Sequence, residues 1–227
     1  IASPRGDWPL DLVRVRGQID GLLTRPRALA CEDVTIESGD VSLTAKGTID
    51  LVGPVVDLNL VLATQLERAR AFFDSPPSLT GRVHLETNVV GSPREPRASG
   101  RVVVTEGRLD GYGFGDEAEI EFRADADGID VPSFLITLGD GRVTGRGKIA
   151  FDRTLTAHFE AAPENMSLAR VLHAVDVPHA WVDLVASGKT SVDGTLAPFL
   201  LEGPVDFHVR DFAVFDRAWD APEVVRG

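Results

Sequence analysis

The stretch FLITLGDGRVTGRGKIAF at residues 134–151 is met a first time at residues 34–51, as VTIESGDVSLTAKGTIDL. Ile36, Gly39, Asp40, Thr44, Gly47 and Ile49 return as Ile136, Gly139, Asp140, Thr144, Gly147 and Ile149. That is several times the roughly one or two identities expected from average composition in such a window. Leu43/Val143, Lys46/Arg146 and Leu51/Phe151 agree in character. A repeat of this kind narrows the folds open to the chain, because each unit leaves an apolar face that only its neighbours or a bound partner can cover.

The remainder of the chain can be laid out around this block. Residues 10–21 (LDLVRVRGQIDG) resemble residues 100–111 (GRVVVTEGRLDG), pairing Val13, Gly17, Asp20 and Gly21 with Val103, Gly107, Asp110 and Gly111. The offset is 90 here and 100 in the later block, so about ten extra residues stand between. The Gly- and Asp-rich passage at residues 112–130 supplies them as a loop insertion. After the shared block each copy adds an alternating strand, residues 57–62 and 156–161, and then changes period. QLERARAFF (65–73) and MSLARVLHAV (166–175) place Leu66, Ala69, Phe73 and Leu168, Val171, Leu172, Val175 on one helical face. Pro76-Pro77 and Pro178 end these short helices, and Asn165 or Ser167 caps the second. Each copy closes on a strand and glycines nine apart, Gly91/Gly100 and Gly194/Gly203, with prolines between them. The units are then approximately 10–100, 101–203 and a truncated 204–227, in one continuous array.

Outside the helices nearly every segment alternates apolar and polar residues, the signature of strands with one apolar face. Turn pairs such as Gly39-Asp40, Asp127-Gly128 and Gly139-Asp140-Gly141 leave room only for hairpins, so the strands form an antiparallel meander. A closed barrel gives no reason to stop within a unit, and a sandwich would carry a linker at each joint. The expected fold is mainly β: a continuous, strongly curved antiparallel sheet forming an open apolar groove, with short helices between repeats and in-strand glycines that let it bend. The candidate lining residues are Val41, Leu43, Ile49, Leu51, Leu58, Leu60, Val83, Leu85, Val102, Val104, Ile120, Phe122, Ile136, Val143, Ile149, Phe151, Phe159, Val205, Phe207 and Val209. An ordinary closed core is the alternative for the same residues.

Composition excludes some classes. Thirty-five acidic against 23 basic residues leave a net charge of −12, which argues against nucleic acid and anionic lipid surfaces as partners. The one cysteine, Cys31, allows no internal disulfide. No run reaches the ~18 apolar residues of a membrane-spanning helix. The chain opens at Ile1 with no signal-peptide pattern, as a segment of a longer protein would. Asp125, Asp127 and Asp130 resemble the start of a calcium loop but lack its later glutamate. Gly111, Gly113 and Gly115 lack the lysine of a phosphate loop. His84, His158, His173, His179 and His208 have no metal-ligand spacing. No nucleophile elbow occurs, so no catalytic residue, metal or cofactor is expected.

The helix followed by a glycine-punctuated strand in SLTGRVHLETNVVGSPREPRASGRVVVTEGRLDG (78–111), together with GDGRVTGRGKIAF (139–151), resembles the TamB and AsmA-like proteins of the bacterial envelope. The resemblance covers nearly the whole chain and implies a trough with an apolar lining that carries phospholipid between inner and outer membranes. It further implies a periplasmic location within an inner-membrane-anchored protein of a diderm bacterium, and contact with an outer-membrane barrel protein through the full-length protein. Uniform Val, Leu, Ile and Phe in the trough would hold acyl chains with little headgroup selectivity. Two other functions remain open: outer-membrane protein assembly by strand-edge templating, and a carbohydrate-active β-sandwich enzyme. Open sheet edges lead us to expect self-association.

Overall fold

The computed structural model describes residues 2–3, 6–7, 12–20, 27–53, 55–69, 79–92, 94–109, 112–113, 115–174, 182–196, 199–215 and 224–226. The first elements are β1 (Ala2–Ser3), β2 (Gly6–Asp7), β3 (Leu12–Asp20), β4 (Ala28–Ser38), β5 (Val41–Asp50), β6 (Val55–Gln65), α1 (Leu66–Ala69), β7 (Leu79–Ser92) and β8 (Glu95–Leu109). They are followed by β9 (Tyr112–Gly113), β10 (Glu117–Ala124), β11 (Gly128–Leu138), β12 (Gly141–Ala150), β13 (Thr156–Glu164), β14 (Met166–Ser167) and α2 (Leu168–Ala174). The last are β15 (Val182–Leu196), β16 (Phe199–Glu202), β17 (Val205–Phe215) and β18 (Val224–Arg226). β1 and β2 pair with each other; all the other strands belong to one 16-stranded sheet.

That sheet is an antiparallel meander. Its order runs β3, β4, β5, β6, β7, β8, β10, β11, β12, β13, β15, β17, β18, with β9, β14 and β16 attached beside it. Among the described residues β3 and β18 do not meet, so the sheet is open, as the alternation and short turns require. Among the described residues no second sheet lies over either face. The chain exposes 15285 Å², about half as much again as the ~10,000 Å² of a compact monomer of 24.4 kDa. Its buried apolar residues are Val104, Ala118, Val131, Ala157 and Ala186. All five are alanine or valine and none is a leucine or phenylalanine, so the core of the described residues is thin.

The repeat is visible as a period of six strands. β4, β5, β6, β7 and β8 return six places along as β11, β12, β13, β15 and β17, with a helix after β6 and again after β13. Irregularities recur with them. The register slips between Cys31 and Val34 on β4 and between Val131 and Phe134 on β11. It slips again at Thr80/Arg82 on β7 and at Leu184/Val185 on β15. Non-glycine residues with φ near +55° sit at matching points of β8 and β17, Glu106 (57°) and Asp211 (51°). In this order the counterpart of β3 is β10, not the segment at 100–111. The passage expected to be a loop insertion, 112–130, therefore contains a full strand. The 90-residue match misled because all strands here alternate and share glycine punctuation, so a slip of one strand still aligns.

Both helices begin later than their apolar stripes suggested. α1 holds Leu66 and Ala69, whereas Phe73 and the Pro76-Pro77 pair lie outside the described residues, as do Val175 and Pro178. Met166 and Ser167 are not helical: they pair with Ala186 and Val185 of β15. Ser167 is the cap, its Oγ accepting the Arg170 N–H at 3.3 Å. α2 seats on the β11–β12 turn, where the Arg170 guanidinium lies over Gly139 and Met166 over Gly141.

In-strand glycines have a use beyond bending. Phe134 lies over Gly145, Phe159 over Gly147 and Phe207 over Gly188, so that a Cβ at any of these glycines would stand inside the neighbouring ring's van der Waals surface. The matching pairs in the first unit are Val34/Ala45, Leu58/Gly47 and Val102/Leu85. At two of these places the second unit exchanges two side chains for one large ring and none, and at the third it sets Phe159 where the first unit has Leu58, over a glycine in both. Gly147→Ala should destabilise the chain by about 1–3 kcal/mol through overpacking. In a Phe159→Leu background the same change should cost measurably less, because the two side chains share the space. Urea denaturation of the four proteins of this cycle tests the coupling.

Candidate functional groove

Residues directly opposite each other on neighbouring strands share a face, so the register lists the groove. Val13, Ile36, Leu43, Leu62, Leu85, Val102, Ile120 and Phe134 stand opposite one another in turn across eight strands. The row continues through Gly145, Ala161 and Thr190 to Val205 on β17. At ~4.8 Å per strand its twelve positions extend over about 50 Å. A parallel row joins Val83, Val104, Ala118, Ile136, Val143 and Pro163. On the other side of the main row, Leu58, Val89, Ala98, Ala124, Ile129, Ile149 and Ala157 follow one another.

The expected lining residues fall into these rows or directly beside them. Val41, Ile49, Leu60, Phe122, Phe159, Phe207 and Val209 occupy same-face positions on their strands by alternation and register. Leu51 and Phe151 differ: they leave the strands and stand at the rim, 47% and 49% exposed, their N–H groups bonded to Arg27 O and Asp127 O. Ile36, Leu62, Phe134 and Val89 were missed, although Leu62 follows Leu58 and Leu60 at the same alternation. Interior groove residues such as Leu43, Leu62, Leu85, Val102 and Ile120 are half-buried. Val205, Phe207 and Val209 on β17 are more than half exposed, as is Val15 on β3 at 69%. Among the described residues, Val13 and Val15 on β3 and residues 205–209 on β17 have no strand paired on their outer side.

The opposite face is polar. Arg82 meets Glu106 at 3.0 Å, Arg101 meets Glu119 at 2.6 Å, Arg142 meets Glu164 at 2.6 Å and Arg146 meets Glu160 at 2.7 Å. His158 lies 2.7 Å from Asp193. These pairs are solvent-exposed and each contributes little to stability; their effect is to keep that face wet. An open cleft of about 770 Å³ lies at the turn side of this face, beside Arg97, Arg123, Asp130 and Lys148.

Among the described residues no three His, Cys, Asp or Glu side chains could hold a metal ion. Asp125 accepts the N–H groups of Asp127 and Gly128 at 2.9 and 3.2 Å, closing the β10–β11 turn in the manner of other Asx turns. Tyr112-Gly113 is a short strand on β8, not a phosphate loop. His84 lies 3.1 Å from Glu86, and His179 lies outside the described residues. The shifted carboxyls belong to the rim and the polar face. Hydrogen bonds, first from Arg146, lower Glu160. The chain was compared with protein-family models, curated proteins and solved structures and matches none of them.

Asp152, in the β12–β13 turn, is lowered to about 2, first by the Thr156 hydroxyl and then by the N–H groups of Thr156 and Thr154. A carboxyl depressed in the fold supports it above the unfolded value of ~3.9 and loses that support as pH falls toward 2. NMR titration of the carboxyl carbons should find Asp152 among the last to protonate. Thr156→Val should return it toward 3.9, and an unchanged value in that variant would contradict the assignment.

Proposed function

We propose that this chain is a lipid-conducting segment of a periplasmic β-groove protein, carrying phospholipid between inner and outer membranes by sheathing its acyl chains. The observation that carries this reading is the unbroken cross-strand row from Val13 to Phe134, apolar at every position and covered by no second layer. An apolar surface of this extent on a water-soluble face marks a binding site. Each buried methylene gains about 0.8 kcal/mol, so a chain segment of eight carbons would gain roughly 6 kcal/mol. The groove is longer than one bilayer leaflet, about 15 Å of hydrocarbon. A chain can therefore shift from strand to strand without leaving apolar contact.

Selectivity should be weak. Thr87 and Thr190 are polar members of the main rows, and no charged side chain converges on the floor. Headgroups would remain at the mouth, in water. The likeness to TamB and AsmA-like proteins noted in the sequence supports the same assignment, and with it the periplasmic location and contact with an outer-membrane barrel protein through the full-length chain. No catalysis is part of this proposal.

The test uses neighbouring residues that point to opposite faces. Photo-crosslinking side chains at Leu43, Val102 and Ile149 should capture phospholipid during expression in a diderm host, whereas those at Thr44, Val103 and Lys148 should not. Val103 is the informative control, being apolar but on the outer face. Equal capture at Val102 and Val103, or none at any groove position, would remove the lipid reading.

A further inference from the structure

The two outermost long strands, β3 and β17, form complementary edges. β3 pairs only with β4, and β17 carries β18 only along Ala213–Phe215, which leaves Val205–Phe212 open among the described residues. β3 and β17 are the first and twelfth strands of an alternating path, so β3 of one molecule would run antiparallel to β17 of another if the sheet continued across the junction. Within the chain the same two roles are already filled. β8 is the counterpart of β17, β10 is the counterpart of β3, and they pair directly.

We infer that a second copy of this chain docks its β3 on β17 in the register that β10 takes on β8. The repeat fixes that register. Val102 and Val104 of β8 correspond to Phe207 and Val209 of β17, through their partners Leu85/Gly188 and Val83/Ala186. Ala118 of β10 corresponds to Val13 of β3, through Ile136 and Ile36. Val104 faces Ala118 and Val102 faces Ile120. Val209 would therefore face Val13, and Phe207 would face Val15. These four side chains are 53%, 50%, 52% and 69% exposed in the single molecule, and the pairing covers all of them while continuing the groove floor. Thr105 faces Glu117, which places Leu12 opposite Arg210 and ends the pairing short of β18.

Charge points to the same partner. On the outer face of the internal junction, Arg101 of β8 stands opposite Glu121 and 2.6 Å from Glu119. Transferred to the junction between copies, the signs reverse: Asp206 of β17 would stand opposite Arg16 and diagonal to Arg14. Their backbones belong to the ladder, and among the described residues the side chains of Arg14, Arg16 and Asp206 make no hydrogen bond or ion pair. The backbone ladder and the apolar pairs supply the attraction. The exposed charges favour the register, because a two-residue slip one way would set Arg210 against Arg14 and leave Asp206 opposite Gln18. Such a contact is heterologous and builds linear rods with one continuous groove. It does not depend on what the groove carries.

The test uses the 227-residue chain in a Cys31→Ser background. Val15→Cys and Phe207→Cys proteins should each remain uncrosslinked under mild oxidation and give a covalent dimer when mixed. Sedimentation velocity should find concentration-dependent association that Arg16→Glu or Asp206→Arg alone weakens roughly two- to five-fold, and that the two together in one chain restore. Self-crosslinking of Val15→Cys as fast as the mixed reaction, a monomer at every concentration, or a double variant weaker than either single one would overturn the proposal.

Discussion

The structure depends on a single layer of sheet holding together without a second layer to pack against. In most β proteins the apolar face of a sheet is buried by another sheet or by helices, and that burial dominates stability. Here the ladder hydrogen bonds of sixteen strands and the cross-strand pairs on each face carry the load. Side chains of the groove cover one another: Leu62 is shaded by Leu43 and Leu85, and Leu85 by Leu62 and Val102. The shading fails where a neighbour is missing, and so Val15 and Phe207 are open to water while Leu43 and Val102 are half-buried. A face in this state gains from any apolar occupant that fits between its rims.

The glycine and phenylalanine pairs bear on the shape of that space. A phenylalanine standing upright on a sheet would project into the groove, whereas one lying over a glycine of the next strand keeps the floor low. Phe134, Phe159 and Phe207 all lie in this way, and Phe134 meets Phe159 edge to face with centroids 6.4 Å apart. The second unit is therefore aromatic where the first is aliphatic. Paired exchanges such as Val34/Ala45 for Phe134/Gly145 change the identity of the lining while keeping the ring low on the floor.

Much of the fold was legible because period two is a direct consequence of strand geometry. Alternation assigned Leu43, Leu58, Leu85 and Ile149 to one face, and the short Gly-Asp turns required the meander. Less legible were the features that depend on register. The order of the duplication was displaced by one strand, since Val13 and Gly17 match Val103 and Gly107 in type while β10 takes the structural place of β3. Leu51 and Phe151 continue the alternation in sequence, but backbone bonds to Arg27 and Asp127 turn the chain before they can join the floor. Ser167 could be recognised as a possible cap from its chemistry; only the tertiary pairing of Met166 and Ser167 with β15 decided where the helix begins.

The comparison of the two units with each other separates what the groove requires from what it tolerates. On the groove face Ile36, Leu43, Gly47 and Ile49 return as Ile136, Val143, Gly147 and Ile149. On the outer face of the same strands Ser42, Lys46 and Thr48 become Arg142, Arg146 and Lys148, and the cross-strand partners Asn59 and Asp57 become Glu160 and His158. The outer charges are more numerous in the second unit, where Arg142 and Arg146 pair locally with Glu164 and Glu160, as expected of a surface that only has to stay in water. The bulges at Cys31/Val34 and Val131/Phe134 persist through these exchanges, and with them the local bend that a bulge imposes on a strand. Retention on the groove face follows apolar character and backbone shape, while the polar residues that return in both units, Asp40 as Asp140 and Thr44 as Thr144, belong to the turn and the outer face.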